Sequence, residues 1–577
     1  MKNYTIIPLD VEHIEEICND IKYQIDAGFA ECPLFSLQLQ PWGNPPVNKT
    51  DDLCEKYDLF RDRLGKMGIE CGILVQSSMA NASSETPFQK FINLRTGEKL
   101  AHLYCPSDQG FREFMKKEME DIAKHNPAVI MLDDDIRLLT HRAGSGCCCE
   151  LHLKEFNHRA GTDMTREELF DVLSTDENSP YAQIFLDVQR DSLVDYVKYM
   201  RAGVDSVNPK IQGAYCTVGG EWAAEISTAF AGENNPVILR INNGNYGSIG
   251  LKPFSWSMMR AALQVTSVKG KVDVILAETD TCPHNRYSKS AHSLHAHFVG
   301  SILEGAQGAK HWLQRTGVFE PDSGKAYRKI LEKHTGFYNK LIEIVPKLDF
   351  TGCRIPITNK VNFDFSGSCD AYYPQEEGWS FNVWERMGIP FYYSSEDGGV
   401  VCINGNRDKS FSDEEIKKML SGEVFLASDT AKNLINRGFG EHLGVDIREW
   451  NGDKISCELI GGKRIQAQID LREIVLMDKE AEVDSENIYT DDMLQEQIAF
   501  PATTVYKNSL GGTVNVFCGT PKCGELWSAG YSFLNETRKL QLIRLLENMG
   551  SLQVYYPGDA EVYMKAAKMD DEKNTII

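Results

Sequence analysis

Along the first 320 or so residues the hydrophobic positions follow two alternating rhythms. Short unbroken apolar runs give way to longer stretches in which apolar residues recur every three or four positions. An unbroken run suits a strand buried on both faces, and the 3.6-residue rhythm marks a helix that buries one stripe. Eight strands are predicted, at 4–9, 34–40, 71–77, 128–133, 212–218, 237–242, 272–278 and 310–316. Helices are predicted between them at 12–27, 111–125, 181–202 and 292–308. In the second of these, Phe111, Phe114, Met115, Met119 and Ile122 share one face. Eight β-then-α units is the number that closes a parallel sheet into a barrel. An open doubly wound sheet usually carries a Gly-rich turn after its first strand, where this chain reads Pro8-Leu9-Asp10-Val11. The predicted fold class is therefore α/β, a (β/α)8 TIM barrel over 1–349.

Past residue 350 the texture changes. Segments 389–394, 400–404 and 424–427 read as strands, with helices at 413–420 and 428–436 beside them. Residues 457–477 are β-rich, and strand 513–518 followed by helix 536–549 returns to α/β. A smaller α/β domain is expected over 350–550. From Ser551 alternation begins again and stops at Thr575-Ile576-Ile577, so 551–577 is expected to be the start of a truncated C-terminal β-domain.

Charge narrows the partners. With 61 basic and 83 acidic residues the formal charge is −22, which repels phosphate backbones and anionic lipid. Neither nucleic acid nor membrane is an expected partner, and no apolar run approaches the ~20 residues of a membrane span. The N-terminus lacks a signal-peptide pattern. The 16 cysteines, spread over a core-rich chain, read as reduced thiols with a metal site, which predicts a cytoplasmic location.

Two predicted strands run directly into acid. Val129-Ile130-Met131-Leu132 leads to Asp133-Asp134-Asp135, and Val274-Ile275-Leu276-Ala277 leads to Glu278. Barrel chemistry sits at the C-terminal strand ends, and glycoside hydrolysis needs two carboxyl groups flanking the scissile bond. The same aspartates could instead solvate a loop, cap a helix or hold a divalent cation. Cys147, Cys149 and His152, with Cys105 upstream, offer three thiolates and an imidazole, a set suited to tetrahedral structural zinc; buried inert thiols are the plainer reading. Rim candidates for substrate are Arg137, His141, Glu221, Arg240, Asn242, Asn243, His284, Asn285, Arg286 and Tyr287. Trp42 and Trp312 are candidate sugar platforms.

These residues together resemble glycoside hydrolase family 42, β-galactosidases with a trimerisation domain. The resemblance is carried by Leu103-Tyr104-Cys105-Pro106-Ser107, a helix, and Val129 to Asp135, then by the Cys147-x-Cys149-x-x-His152 loop, Ala277-Glu278-Thr279 and Ala306 to Trp312. It implies that 350–550 is a glutamine-amidotransferase-like trimerisation domain, that the chain forms a homo-oligomer (a trimer), and that the cysteine loop binds zinc. It also implies a carbohydrate substrate and retaining hydrolysis, with Glu278 as nucleophile. The family's acid/base Glu falls on Asp135 and its preceding Asn on Asp134, so two site residues depart from the family pattern. An Asp donor needs a raised pKa, which neighbouring carboxylates supply. Asp133 and Asp134 are then expected to tune charge or bind sugar. An inverting or metal-assisted hydrolase using the Asp133–Asp135 cluster, and a barrel that binds sugar without catalysis, remain as alternatives.

Overall fold

The apolar runs become eight parallel strands: β1 (Lys2–Ile7), β2 (Cys32–Gln38), β3 (Gly72–Gln76), β4 (Val129–Leu132), β5 (Gln212–Cys216), β6 (Ile238–Arg240), β7 (Val274–Asp280) and β8 (Gly308–Trp312). They close into one barrel in sequence order, with β8 returning to β1 in the register Lys2↔Gly308 to Thr5↔His311. In this computed structural model the described residues are 1–80, 85–139, 145–175, 179–219, 222–246, 254–282, 284, 287–317, 319–320, 324–358, 378–522, 533–558 and 562–569.

The double burial predicted from the pattern has a concrete form. Tyr4, Ile6, Leu34, Leu74, Met131, Cys216 and Leu276 fill the barrel interior. Ile7, Phe35, Ile73, Ile130, Leu132 and Leu239 point outward into the helix layer. Each such side chain, fully buried, contributes about 1.5–3 kcal/mol. The helix Gln109–Lys124 starts where Asp108 accepts a hydrogen bond from the Phe111 N–H at 2.7 Å, and its face of Phe111, Met115, Met119 and Ile122 is completely buried. At the seam, a Cβ on Gly308 would lie 1.6 Å from the Lys2 carbonyl oxygen, so glycine is what lets β8 close on β1. The barrel belongs to a compact unit whose described residues fall within 1–252 and 260–346.

The second unit, 253–259, 347–360 and 374–577, is built on a nine-stranded sheet. Five of its strands are parallel: β9 (Cys353–Pro356), β10 (Phe391–Ser394), β11 (Val400–Ile403), β12 (Glu423–Ala427) and β13 (Thr513–Phe517). Their spatial order is β10-β9-β11-β12-β13. The antiparallel strands Glu496–Lys507, Glu482–Thr490, Ile455–Ile460 and Lys463–Ile465 extend the sheet. Near the C-terminus, Ala566–Met569 pairs antiparallel with Leu348–Thr351 inside this same unit. Among the described residues no helix is long and apolar enough to cross a membrane.

Candidate active site

The C-terminal ends of β4, β6 and β7 converge on one guanidinium. Arg240, the last residue of β6 and 1% exposed, sends Nη2 to Asp133 Oδ1 at 3.4 Å and to Asp134 Oδ2 at 3.3 Å. Its Nη1 lies 3.3 Å from Glu278 Oε2. One buried cation thus joins the two acidic strand ends singled out in the sequence. A second cation comes from β8, where Lys310 Nζ donates to Asp133 Oδ1 at 2.9 Å.

Within this frame the four acids differ. Burial alone would raise the Asp133 carboxyl, but Lys310 and Arg240 outweigh it and hold it at about 2; Gln76 Nε2 donates to its other oxygen at 2.7 Å. Asp133 is therefore a fixed anion. Asp134 is pushed above the ordinary aspartate range by burial and by Asp133, against the pull of Arg240 and Arg137. Its side chain keeps 22% exposure, against 9% for Asp133 and 2% for Glu278. Asp135 is carried to a different neighbourhood: its Oδ2 accepts the Ser78 N–H at 3.0 Å, just past β3. Burial, then Asp133 and Asp134, push the Asp135 carboxyl up to about 8.

Glu278 is held as a nucleophile would need to be. Oε2 accepts the Gly244 N–H at 3.0 Å and Oε1 accepts the Tyr246 hydroxyl at 2.7 Å. Its own N–H donates to Asn243 Oδ1 at 3.0 Å. Two residues on, burial and the Glu278 charge raise Asp280 to about 7. His284, in the left-handed region at φ 61°, stacks on Trp312 with centroids 4.4 Å apart and Nδ1 3.2 Å from Asp280 Oδ1. Burial and then Lys310 depress this imidazole to about 4, so it is neutral at pH 7. The Trp312 Nε1–H has no partner among the described residues, and Lys310 Nζ sits 5.0 Å from its ring.

Of the residues expected from sequence, Asp133, Asp134, Arg240 and Glu278 share direct contacts, and Trp312 and His284 form a pair beside them. Asn242 faces elsewhere: its side-chain oxygen accepts from Arg260 and its N–H donates to Gln264 at 2.7 Å, while its neighbour Asn243 reaches Glu278. Arg137 acts on Asp134 and Asp135 through its charge. Trp42 and Tyr287 are exposed, at 55% and 83%. His141, Glu221, Asn285 and Arg286 lie outside the described residues. Sequence reasoning passed over Gln76, Lys310, Gly244, Tyr246 and Asp280.

A second cluster joins thiols and an imidazole. The ligand atoms of Cys105, Cys147, Cys149 and His152 all lie within 4.8 Å of one another, and all four residues are buried. His152 Nδ1 is 3.3 Å from Cys105 Sγ and 3.5 Å from Cys149 Sγ. Its Nε2 is 3.0 Å from the Ser192 hydroxyl, an outer partner that orients the ring with Nδ1 toward the thiols.

No family model matches the chain, and no curated protein matches it in sequence. Solved structures do share its fold. A β-galactosidase from Bacillus circulans sp. alkalophilus aligns at TM-score 0.57 and 13% identity, over 96% of this chain and 89% of that one. A family 42 β-galactosidase from G. stearothermophilus aligns at TM-score 0.58 and 11% identity, over 99% and 91%. An exo-β-1,4-mannosidase from Opitutaceae bacterium strain TAV5 aligns at TM-score 0.51 and 9% identity, over 96% and 97%. The chain thus shares, across nearly its whole length, the fold of the family 42 β-galactosidases.

Proposed function

We propose that the barrel is a retaining glycoside hydrolase with Glu278 as nucleophile. The observation that carries this reading is the Arg240 bridge, which brings Glu278 and the β4 acids to one point at the catalytic end of the barrel. The names of the fold relatives, β-galactosidase and exo-β-1,4-mannosidase, support the reaction class. Asp134 is the proton donor: it is the β4 acid that shares Arg240 with Glu278, retains exposure, and has a raised carboxyl pKa. In the first step the Glu278 carboxylate attacks the anomeric carbon as the bond to the leaving oxygen breaks and Asp134 gives that oxygen its proton. Asp134, now the base, then takes a proton from water, which attacks the anomeric carbon and frees Glu278. Asp133, anionic throughout, and Arg240 hold the local charge, and the stacked pair of His284 and Trp312 stands beside them as an aromatic wall for the sugar.

Asp135 is the second reading for the donor, because a carboxyl at about 8 is protonated at neutral pH. Leaving-group dependence separates the two. Loss of the true acid costs about 10²–10⁴-fold on a poor leaving group and little on an activated aryl glycoside. Asp134→Asn is expected to show that split and Asp135→Asn is not; the reverse pattern assigns Asp135. Glu278→Gln is expected to abolish turnover of every glycoside tested while the protein still unfolds in a cooperative melt. Full activity in that variant overturns the mechanism, and release of the inverted anomer, read by proton NMR, overturns retention.

The cysteine cluster is the proposed holder of one structural zinc. Three sulfurs and one imidazole nitrogen make a complete tetrahedral set, with no position left over for chemistry. Zinc bound there would tie Cys105 to the 147–152 segment.

A further inference from the structure

The second unit has a cavity that the barrel chemistry does not use. Its five parallel strands run in the order second, first, third, fourth, fifth, so the chain reverses direction across the sheet between β9 and β11. In such sheets the crevice beyond the carboxyl ends of the strands at that reversal is where ligands sit. A cavity of about 390 Å³ lies at that edge. Asn404 and Asn406 follow β11, Asp429 follows β12, Thr520 follows β13, and Asn382 lies on the segment that follows β9. The volume falls in the range of small-molecule sites.

The lining states what such a molecule must look like. Asn382, Asn404, Asn406 and Asn433 bring amides, which both donate and accept, as hydroxyl groups do. The charged residues cancel: Asp429 and Asp470 against Arg472 and Lys522, with Lys522 already on Asp470 at 3.2 Å. Asp429 Oδ1 accepts the Thr430 N–H at 2.7 Å and the carboxylate also takes a hydrogen bond from the Gly405 backbone, while Oδ2 meets the Thr520 hydroxyl only at 3.5 Å. The nearest carboxylate to Arg472 is Glu449, at 3.8 Å. A carboxylate and a guanidinium with spare capacity, set among amides, match the vicinal hydroxyls of a sugar. An anion would want a positive excess and a nucleobase or flavin an aromatic wall, and among the described residues the lining supplies neither.

We propose that this cavity is a second carbohydrate site: it binds a neutral monosaccharide-sized polyol, independently of the barrel and whatever the barrel does. Hydrogen–deuterium exchange on the full-length protein reads it directly, with free galactose, glucose, mannose and myo-inositol as probes and inorganic phosphate as the contrast. At least one probe is expected to slow exchange in peptides covering 404–408 and 428–434. Asp429→Asn and Arg472→Ala are each expected to weaken that protection about tenfold, the effect of losing one charge-assisted hydrogen bond. Both variants should keep the wild-type melting temperature and barrel turnover; Arg472, at the cavity rim, covers the case in which the Asp429 variant folds poorly. Protection confined to barrel peptides overturns the proposal. So does protection by phosphate and by no polyol, or no protection of those segments at about 0.1 M of every probe.

Discussion

Replacing Lys310 by methionine tests the electrostatic frame of the barrel mouth without touching the proposed nucleophile or donor. Lys310 is 1% exposed, and its ammonium is the largest of the charges that offset burial at Asp133. In the wild-type protein the Asp133 carboxyl stands at about 2 rather than 3.8. At 1.36 kcal/mol per pKa unit, that depression is worth on the order of 2 kcal/mol at pH 7. Because the folded value is the lower one, this stability is present above the unfolded pKa and fades as pH falls from about 4 toward 2. Without Lys310, burial and the nearby acids push Asp133 upward, and the folded variant must take up a proton that the wild type refuses. The loss at pH 7 is therefore at least about 2 kcal/mol and approaches the 3–5 kcal/mol of a broken buried pair. For a barrel unit of roughly 340 residues, with an unfolding entropy of about 2.1 cal/mol/K per residue, that is a fall of about 3–7 °C in Tm. Differential scanning calorimetry from pH 7 to pH 4 should show the gap between the two proteins narrowing as acid is added. The double variant Lys310→Met, Asp133→Asn should recover part of the loss. A variant as stable as wild type at pH 7, or a gap that ignores pH, refutes the reasoning.

Three further outcomes are expected. Tyr246→Phe removes the hydroxyl donor to Glu278 Oε1; kcat/KM is expected to fall about 10²-fold with Tm unchanged, because Tyr246 is 42% exposed. Gly308→Ala forces a Cβ to 1.6 Å from the Lys2 carbonyl oxygen and should cost about 3 kcal/mol or more, seen as a large drop in the denaturant midpoint. Metal analysis should find about one zinc per chain, and His152→Ala should lose it together with several degrees of Tm; absence of zinc from purified protein rules the site out.

The barrel was legible because its strands are apolar on both faces, which leaves an unbroken run in the sequence. The limits of that reading also have causes. Strand 237–242 ends at Arg240 because the Asn242 N–H turns to the Gln264 side chain instead of continuing the ladder. The long strands Glu482–Thr490 and Glu496–Lys507 gave no clean signal, since they bury Ser485, Asn487, Thr503 and Thr504 beside Ile488 and Phe500 while exposing charged residues. In the site, Asp133, Asp134, Arg240 and Glu278 announced themselves as polar ends of apolar strands. Lys310 carried a readable mark, a lone cation inside a buried strand. Tyr246 carried none, because a tyrosine in a loop reaches Glu278 only through the tertiary path of that loop. Which β4 acid faces Glu278 was equally invisible: three identical residues in a row differ only in where the turn after β4 aims them.

Lys289 gives the site a mechanical property. Its ammonium, 5% exposed, donates to the Asn245 carbonyl, beside Tyr246, and at 3.2 Å to the Asp280 carbonyl, two residues beyond Glu278. Burial pulls its pKa down to about 8. The tyrosine that bonds the proposed nucleophile and the strand that bears it are thus riveted together, and neither can drift without the other. Above about pH 8 the rivet loses its charge, and the spacing that Glu278 and Tyr246 otherwise share becomes adjustable. Alkaline loss of activity would then have a source besides the proton donor: loosened alignment of the proposed nucleophile.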